Sequence, residues 1–170
     1  PDYGLPCSEP WISRVSARVV PRDPEDRLVR WGKMHEAVEA AVDEGADLIH
    51  VQTPFVAHYA GSYVARRYGV PVIATYHTLF EEYLKHYAPL VPASLLRGLA
   101  RGFSRRQCNS LDAVIVPSQA IYKRLLSYGV TTPMFVLPTG ISLQMPPDGS
   151  RQAFRARFGI DESRPVALFV

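Results

Sequence analysis

Cysteine and long apolar runs are scarce in this sequence, and every common nucleotide or nucleophile fingerprint is missing. Its 170 residues hold two cysteines, Cys7 and Cys108, neither in a CxxC or histidine-rich setting. A disulfide framework is therefore excluded, and two reduced thiols are expected. No stretch approaches the roughly 18 apolar residues needed to cross a bilayer. The opening PDYGLPCSEPW has neither the charged start nor the apolar stretch of a signal peptide, and no initiator Met. The chain is expected to begin inside a longer protein, and the closing Pro165–Val170 to be a strand whose continuation lies beyond it. No GxGxxG follows a strand and no GxxxxGK[ST] occurs, which removes the nicotinamide and P-loop classes. The five histidines (His35, His50, His58, His77 and His86) show no HExxH or other ligand spacing, so no metal site is expected. A G-x-S-x-G nucleophile turn is absent as well.

What is present is the balance of a globular protein: 47% hydrophobic and 21% charged residues, enough for one α/β domain with a real core. The net charge of +3 matters less than its distribution. From Tyr83 to Leu111 there is no Asp or Glu, while Lys85, Arg97, Arg101, Arg105 and Arg106 supply five positive charges. An anionic partner for that stretch follows more readily than one for the whole chain.

Strand and helix signals alternate along the sequence. Ser13–Val20 reads as a strand, and Asp26–Glu44 as a helix with Leu28, Trp31, Met34, Val38 and Val42 at three- and four-residue spacing, stopped by Gly45. Leu48–Val51 is a short apolar strand. Thr53 followed by Pro54 is a helix start, a hydroxyl cap and then a proline whose missing N–H costs nothing there. That helix should close near Tyr68 on a left-handed Gly69. Val70–Tyr76, Ala113–Val116 and Met134–Leu137 are further strands, and Ser118 caps a helix running to about Tyr128, before Gly129. The strands are apolar throughout, as in a parallel sheet covered on both faces by helices. The expected organisation is a domain over residues 1–141, a Pro- and Gly-bearing linker over 142–150, and the start of a second domain, helix Arg151–Phe158 and a strand, over 151–170.

In an open parallel sheet, ligands bind at the carboxyl ends of the strands. Three such turns carry polar residues: His50-Val51-Gln52-Thr53-Pro54-Phe55, Ala74-Thr75-Tyr76-His77-Thr78, and Val116-Pro117-Ser118. Hydroxyls and imidazoles beside helix-start N–H groups suit hydroxylated or phosphorylated ligands. Each has a plain structural reading too: a histidine at a strand end is commonly a core residue, and Thr53 and Ser118 are helix caps first. Three polar turns on one sheet edge say more than any one alone.

Ser94–Asn109 reads as a helix with Leu95, Leu96, Leu99 and Phe103 on one face and Arg97, Arg101 and Arg105 on the other. Arg106 sits at the apolar edge, where a long side chain can snorkel. It is either an ordinary surface helix or one that meets anionic lipid headgroups. Gly98 and Gly102 weaken it as an isolated helix and favour packing. Upstream, Glu81-Glu82-Tyr83-Leu84-Lys85-His86-Tyr87 either lines an acceptor mouth or is a plain loop.

The runs D-L-I-H-V-Q-T-P-F, G-V-P-V-I-A-T-Y-H-T, L-D-A-V-I-V-P-S and F-V-L-P-T-G-I, in order from Asp47 to Ile141, resemble the landmarks of retaining GT4-type glycosyltransferases of GT-B fold. Y-H-T-L-F-E-E-Y-L-K-H-Y with the arginine-rich helix is most similar to bacterial diacylglycerol glucosyltransferases and phosphatidylinositol mannosyltransferases. The resemblance implies a Rossmann-like N-terminal, acceptor-side domain, incomplete at both ends. It implies a hexose moved from a nucleotide-diphosphate sugar, UDP-glucose being the expected one, to a lipid such as diacylglycerol, with retention of configuration. His77 then matches the histidine at the reacting sugar. Thr78, Glu82 and Lys85 match the acceptor side, with His50, Thr53 and Ser118 completing that wall. Gly140 stands at the turn toward the nucleotide cleft, followed by Ser142 where the family often has Asp. Arg97, Arg101, Arg105 and Arg106 would contact membrane, on the cytoplasmic face. The diphosphate-binding machinery is expected beyond both ends, and this segment alone is expected to be inactive.

Other readings keep the fold and change the chemistry: a soluble sugar or phosphosugar acceptor, or a sugar-nucleotide 2-epimerase. A basic nucleic-acid module is the non-enzyme alternative. No aromatic stacking residues are interleaved with the positive charges and no recognised motif is present, so nucleic acid is not the expected partner.

Overall fold

The computed structural model describes residues 9–20, 23–77, 92–140 and 147–167, apart from the side chains of 23–26. The chain divides into two units, Pro1–Pro138 and Thr139–Val170.

The first unit opens with a hairpin. β1 (Ala17–Val20) pairs antiparallel with β2 (Asp23–Val29), Ala17 facing Val29 and Arg18 facing Leu28. The helix expected from Asp26 therefore begins later, as α1 (Trp31–Asp43). The physical reason is the ladder: residues 27–29 have their backbone groups taken by β1, and Pro24 biases the residue before it to extended backbone. The Leu28 spacing belonged to a strand.

The central sheet is β3 (Ile49–Val51), β4 (Val72–Thr75), β5 (Ala113–Val116) and β6 (Met134–Val136), in that order and all parallel. Between them run α2 (Val56–Tyr68), α3 (Ala93–Cys108) and α4 (Gln119–Ser127). The α/β, Rossmann-like architecture expected of the sequence is thus present. Alternate sheet residues Val51, Val72, Val114 and Val116 enter one core with Ala65 of α2, Cys108 of α3 and Leu125 of α4. Val114, Val116 and Leu125 are completely buried. Truncating Leu125 to Ala should cost about 2–5 kcal/mol, since the lost transfer energy is compounded by a cavity.

Two glycines set how α2 lies on the sheet. A Cβ on Gly61 would come within 3.2 Å of both Ile49 and Val51 side chains, so only hydrogen lets helix and strand approach this closely. Gly69 closes α2 with φ 70°, the left-handed conformation expected of it. Ser118 caps α4 as expected, its hydroxyl accepting from the Ile121 N–H at 3.4 Å. α1 packs outside α2: Glu39 meets His35 at 3.2 Å and Arg67 at 2.8 Å, and the His35 and Tyr63 rings lie 5.2 Å apart.

The start of α2 differs from expectation. Its N-cap is Phe55, and Thr53 caps nothing. In a helix begun at Thr53, the Pro54 carbonyl would accept from the His58 N–H. Here Gln107 of α3 donates its side-chain amide to that carbonyl, and the His58 N–H goes to Phe55 at 3.0 Å. The helix thus starts two residues later than expected, with the Pro54 carbonyl bonded across to the buried Gln107.

The face of α3 is also corrected. Leu96, Ala100, Ser104, Gln107 and Cys108 are buried, whereas Leu95 and Leu99 are 55% and 58% exposed. Small and amide side chains meet the core because α3 lies close to the β3–α2 turn, leaving Leu95 and Leu99 outside.

In the second unit, α5 (Ser150–Phe158) ends on a left-handed Gly159. Arg155 is buried and donates to the carbonyls of Asp161 and Arg164, the latter at 3.0 Å. That fork ties the following loop back onto the helix. Residues 165–167 form no strand, and 168–170 lie outside the described residues.

Candidate functional site

The carboxyl edge of β3 and β4 opens into a cleft lined by Gln52, Thr53, Pro54, His58, Thr75, Tyr76 and His77, with Gln107 and Cys108 at its floor. Parallel pairing explains which side chains meet there. Ile49 faces Val72, so residues 50 and 52 of the first strand and 75 and 77 of the second share one sheet face by alternation. Residues 49, 51, 72 and 74 take the core face. Two side-chain bonds then bridge the strands with the same 25-residue separation. His50 Nε2 lies 2.8 Å from the Thr75 hydroxyl, and His77 Nε2 lies 2.7 Å from Gln52 Oε1. The Gln52 amide nitrogen sits against the His50 ring, 3.0 Å from Nε2 and 3.3 Å from Nδ1. Thr75, His50, Gln52 and His77 thus form one polar ladder.

Tyr76 points the other way, into the core, where its hydroxyl lies 2.9 Å from that of Ser104. Its N–H donates to the Ile115 carbonyl at 2.8 Å, continuing the sheet pairing one residue past β4. His77 therefore follows directly on backbone that is hydrogen-bonded to β5.

His58 forms part of the inner wall. It is buried, and burial together with the nearby Arg66 charge holds its pKa below the ordinary histidine value. The Ser110 hydroxyl donates to the Gln107 carbonyl at 2.7 Å, so the 3.3 Å contact between Ser110 and His58 Nε2 has the ring N–H as donor. His58 is then a neutral, satisfied core histidine. Burial pushes the Cys108 thiol up to about 12, which leaves it protonated and unreactive.

Of the residues expected at a site, Thr53 and His77 line this cleft, and His50 stands beside it, in contact with the lining residues Gln52 and Thr75. Thr78, Glu82 and Lys85 lie outside the described residues. Ser118 sits at the carboxyl end of the neighbouring strand β5, its hydroxyl engaged as a cap. Gly140 is exposed in the second unit. Arg97, Arg101, Arg105 and Arg106 are all exposed on α3, with the Arg101 guanidinium 5.5 Å from the Tyr128 ring. Gln52, Gln107 and His58 were not singled out from the sequence. Gln52 lay inside a flagged turn, and only the register of β3 against β4 reveals its partner. Among the described residues no group of three or more His, Cys, Asp or Glu could hold a metal ion, and no helix is long and apolar enough to cross a membrane.

Comparison with known proteins identifies the family to which this fold belongs. The model of Glycosyltransferase Family 4 matches residues 2–145. An alpha-monoglucosyldiacylglycerol synthase of Streptococcus pneumoniae (strain ATCC BAA-255 / R6) is 36% identical over 121 residues, 70% of this chain and 26% of that protein. Another, from Acholeplasma laidlawii, is 24% identical over 173 residues, 96% of this chain and 43% of the relative. A GDP-mannose-dependent alpha-mannosyltransferase of Mycobacterium tuberculosis (strain CDC 1551 / Oshkosh) is 26% identical over 125 residues, 73% of this chain and 32% of its own length. The chain spans less than half the length of each of these relatives. With a parallel Rossmann-like sheet, polar side chains at the rim of a strand-end cleft and a family match over most of its residues, this chain belongs to glycosyltransferase family 4.

Proposed function

We propose that the whole enzyme moves a hexose from a nucleotide-diphosphate sugar to a lipid hydroxyl such as that of diacylglycerol, with retention, and that this chain forms the acceptor-side wall. The observation that carries the reading is the Thr75–His50–Gln52–His77 ladder at the carboxyl edge of the sheet. It offers hydrogen-bond donors and acceptors for sugar hydroxyls where an α/β sheet binds its ligands. His77 would contact the donor sugar and support the charge that develops as the nucleoside diphosphate departs. His50, Thr53, Ser118 and the segment with Thr78, Glu82 and Lys85 would complete the acceptor wall. Gly140 and residues 151–170 would lead into the donor-binding domain. The lipid part draws on the two diacylglycerol-enzyme relatives and on α3. Its exposed Leu95 and Leu99 beside Arg97, Arg101, Arg105 and Arg106 are what an interfacial helix presents to an anionic bilayer. UDP-glucose is the proposed donor, with GDP-mannose the competing one because the third relative is named for it.

The test uses the full-length enzyme with labelled UDP-glucose or GDP-mannose and three acceptor conditions: diacylglycerol vesicles, a soluble sugar, and none. Label in an α-linked glycolipid is expected. Label only in a soluble glycoside would overturn the lipid acceptor, and free epimerised sugar would overturn transfer altogether. Flotation with anionic liposomes tests α3. Binding should be lost on changing Arg97, Arg101 and Arg105 to Glu, and binding that survives this removes the helix from the membrane.

A further inference from the structure

The ladder contains a residue whose role follows from hydrogen-bond chemistry alone. Gln52 Oε1 can only accept, so the 2.7 Å contact with His77 Nε2 requires the proton to be on Nε2. The neutral ring then carries its lone pair on Nδ1. Which end of an amide faces a histidine is itself decided by surroundings. Here the other end of the amide lies 3.0 and 3.3 Å from the two ring nitrogens of His50. Within reach of both, it rests against the ring instead of in line with one lone pair. An N–H is attracted to the electron-rich ring there, whereas an amide oxygen in its place would be repelled. His50 is held in turn by the Thr75 hydroxyl at 2.8 Å. Thr75 holds the His50 ring in place, and the preference of that ring for the amide N–H turns Gln52 Oε1 toward one nitrogen of His77.

We propose that Gln52 is a positioning residue that locks His77 in the Nε2–H tautomer, presenting Nδ1 as the nitrogen that meets the sugar. This rests on the reading that His77 faces the donor sugar, but the tautomer is measurable without it. Neutral imidazole in water samples both tautomers, so an unheld His77 would present the wrong nitrogen part of the time and in varied orientations. A second-sphere hydrogen bond of this kind commonly fixes histidine tautomers where a ring nitrogen must act.

The experiment uses full-length enzyme labelled with ¹⁵N-histidine, wild type and two variants. Gln52→Met keeps the length and removes the acceptor, and Gln52→Glu keeps an acceptor oxygen. Gln52 is exposed, so both should fold. Ring-nitrogen shifts are read near pH 8.5, about two units above the ordinary histidine value. Wild type and Gln52→Glu should show His77 protonated on Nε2. Gln52→Met should show a mixture, with kcat about tenfold lower and KM little changed, the size expected of a misplaced proton-transfer or hydrogen-bonding group. A wild-type His77 protonated on Nδ1, or a Gln52→Met enzyme with the wild-type tautomer, would overturn the proposal. A tautomer that shifts while turnover stays constant upholds the Gln52–His77 link and instead removes His77 from catalysis.

Discussion

The hydroxyls of Tyr76 and Ser104 lie 2.9 Å apart, joining the end of β4 to the buried face of α3. This bond and the one from Gln107 to the Pro54 carbonyl anchor both strand-end turns of the cleft to the same helix. The positions of Gln52 and His77 therefore depend on α3 being seated. Tyr76→Phe leaves the Ser104 hydroxyl buried without that partner and should cost about 1–2 kcal/mol. For a domain of this size that is a fall of several degrees in melting temperature, roughly 2–4 °C per kcal/mol. An unchanged melting temperature would mean the bond contributes nothing net.

His77→Ala in the full-length enzyme should lower turnover at least about tenfold while leaving the melting temperature close to wild type, because the ring is exposed. Steady-state rates at saturating donor and acceptor are the measurement. Wild-type turnover would take His77 out of the site.

Ser118→Ala separates two roles of one hydroxyl. As a helix cap its loss should cost about 1 kcal/mol, and as part of the proposed acceptor wall it should also raise the acceptor KM. A tenfold rise in acceptor KM without loss of stability would assign it to the ligand alone.

Stability should fall toward both ends of the pH scale for identifiable reasons. His58 has its folded pKa lowered, so its contribution is present above about pH 6.5 and is lost as pH drops below that, when only the unfolded state takes up the proton. Denaturant titrations at pH 7.5 and about pH 5 should differ less in His58→Gln than in wild type. Cys108 has its folded pKa raised from 9.0 to about 12, so its contribution is complete below pH 9 and declines between those values. Cys108→Ala should flatten that alkaline slope, and an unchanged slope would assign the loss to other groups.

The strands of the sheet were legible because each is a short apolar run bounded by turn residues, and the sequence carries that locally. So were the closing Gly69 and the cap Ser118, whose effects reach no further than one helical turn. β2 was not, since a strand stabilised by pairing across a turn looks like half an amphipathic helix until its partner is known. The Thr53 helix start was not legible either: the Pro54 carbonyl is bonded to Gln107, 53 residues away, a partner that local rules do not see.

The arginine-rich helix was found from charge and spacing, yet which leucines face inward depended on how closely α3 approaches the β3–α2 turn. The same division holds at the cleft. Sequence alone determined that polar residues end the parallel strands, and that His50, Thr53 and His77 stand there. Tertiary structure alone decided that Gln52 links His50 to His77, because that contact spans 25 residues and exists only through the register of β3 on β4. Local propensity acts over a few residues; non-local pairing selects which of the locally allowed arrangements acquires partners.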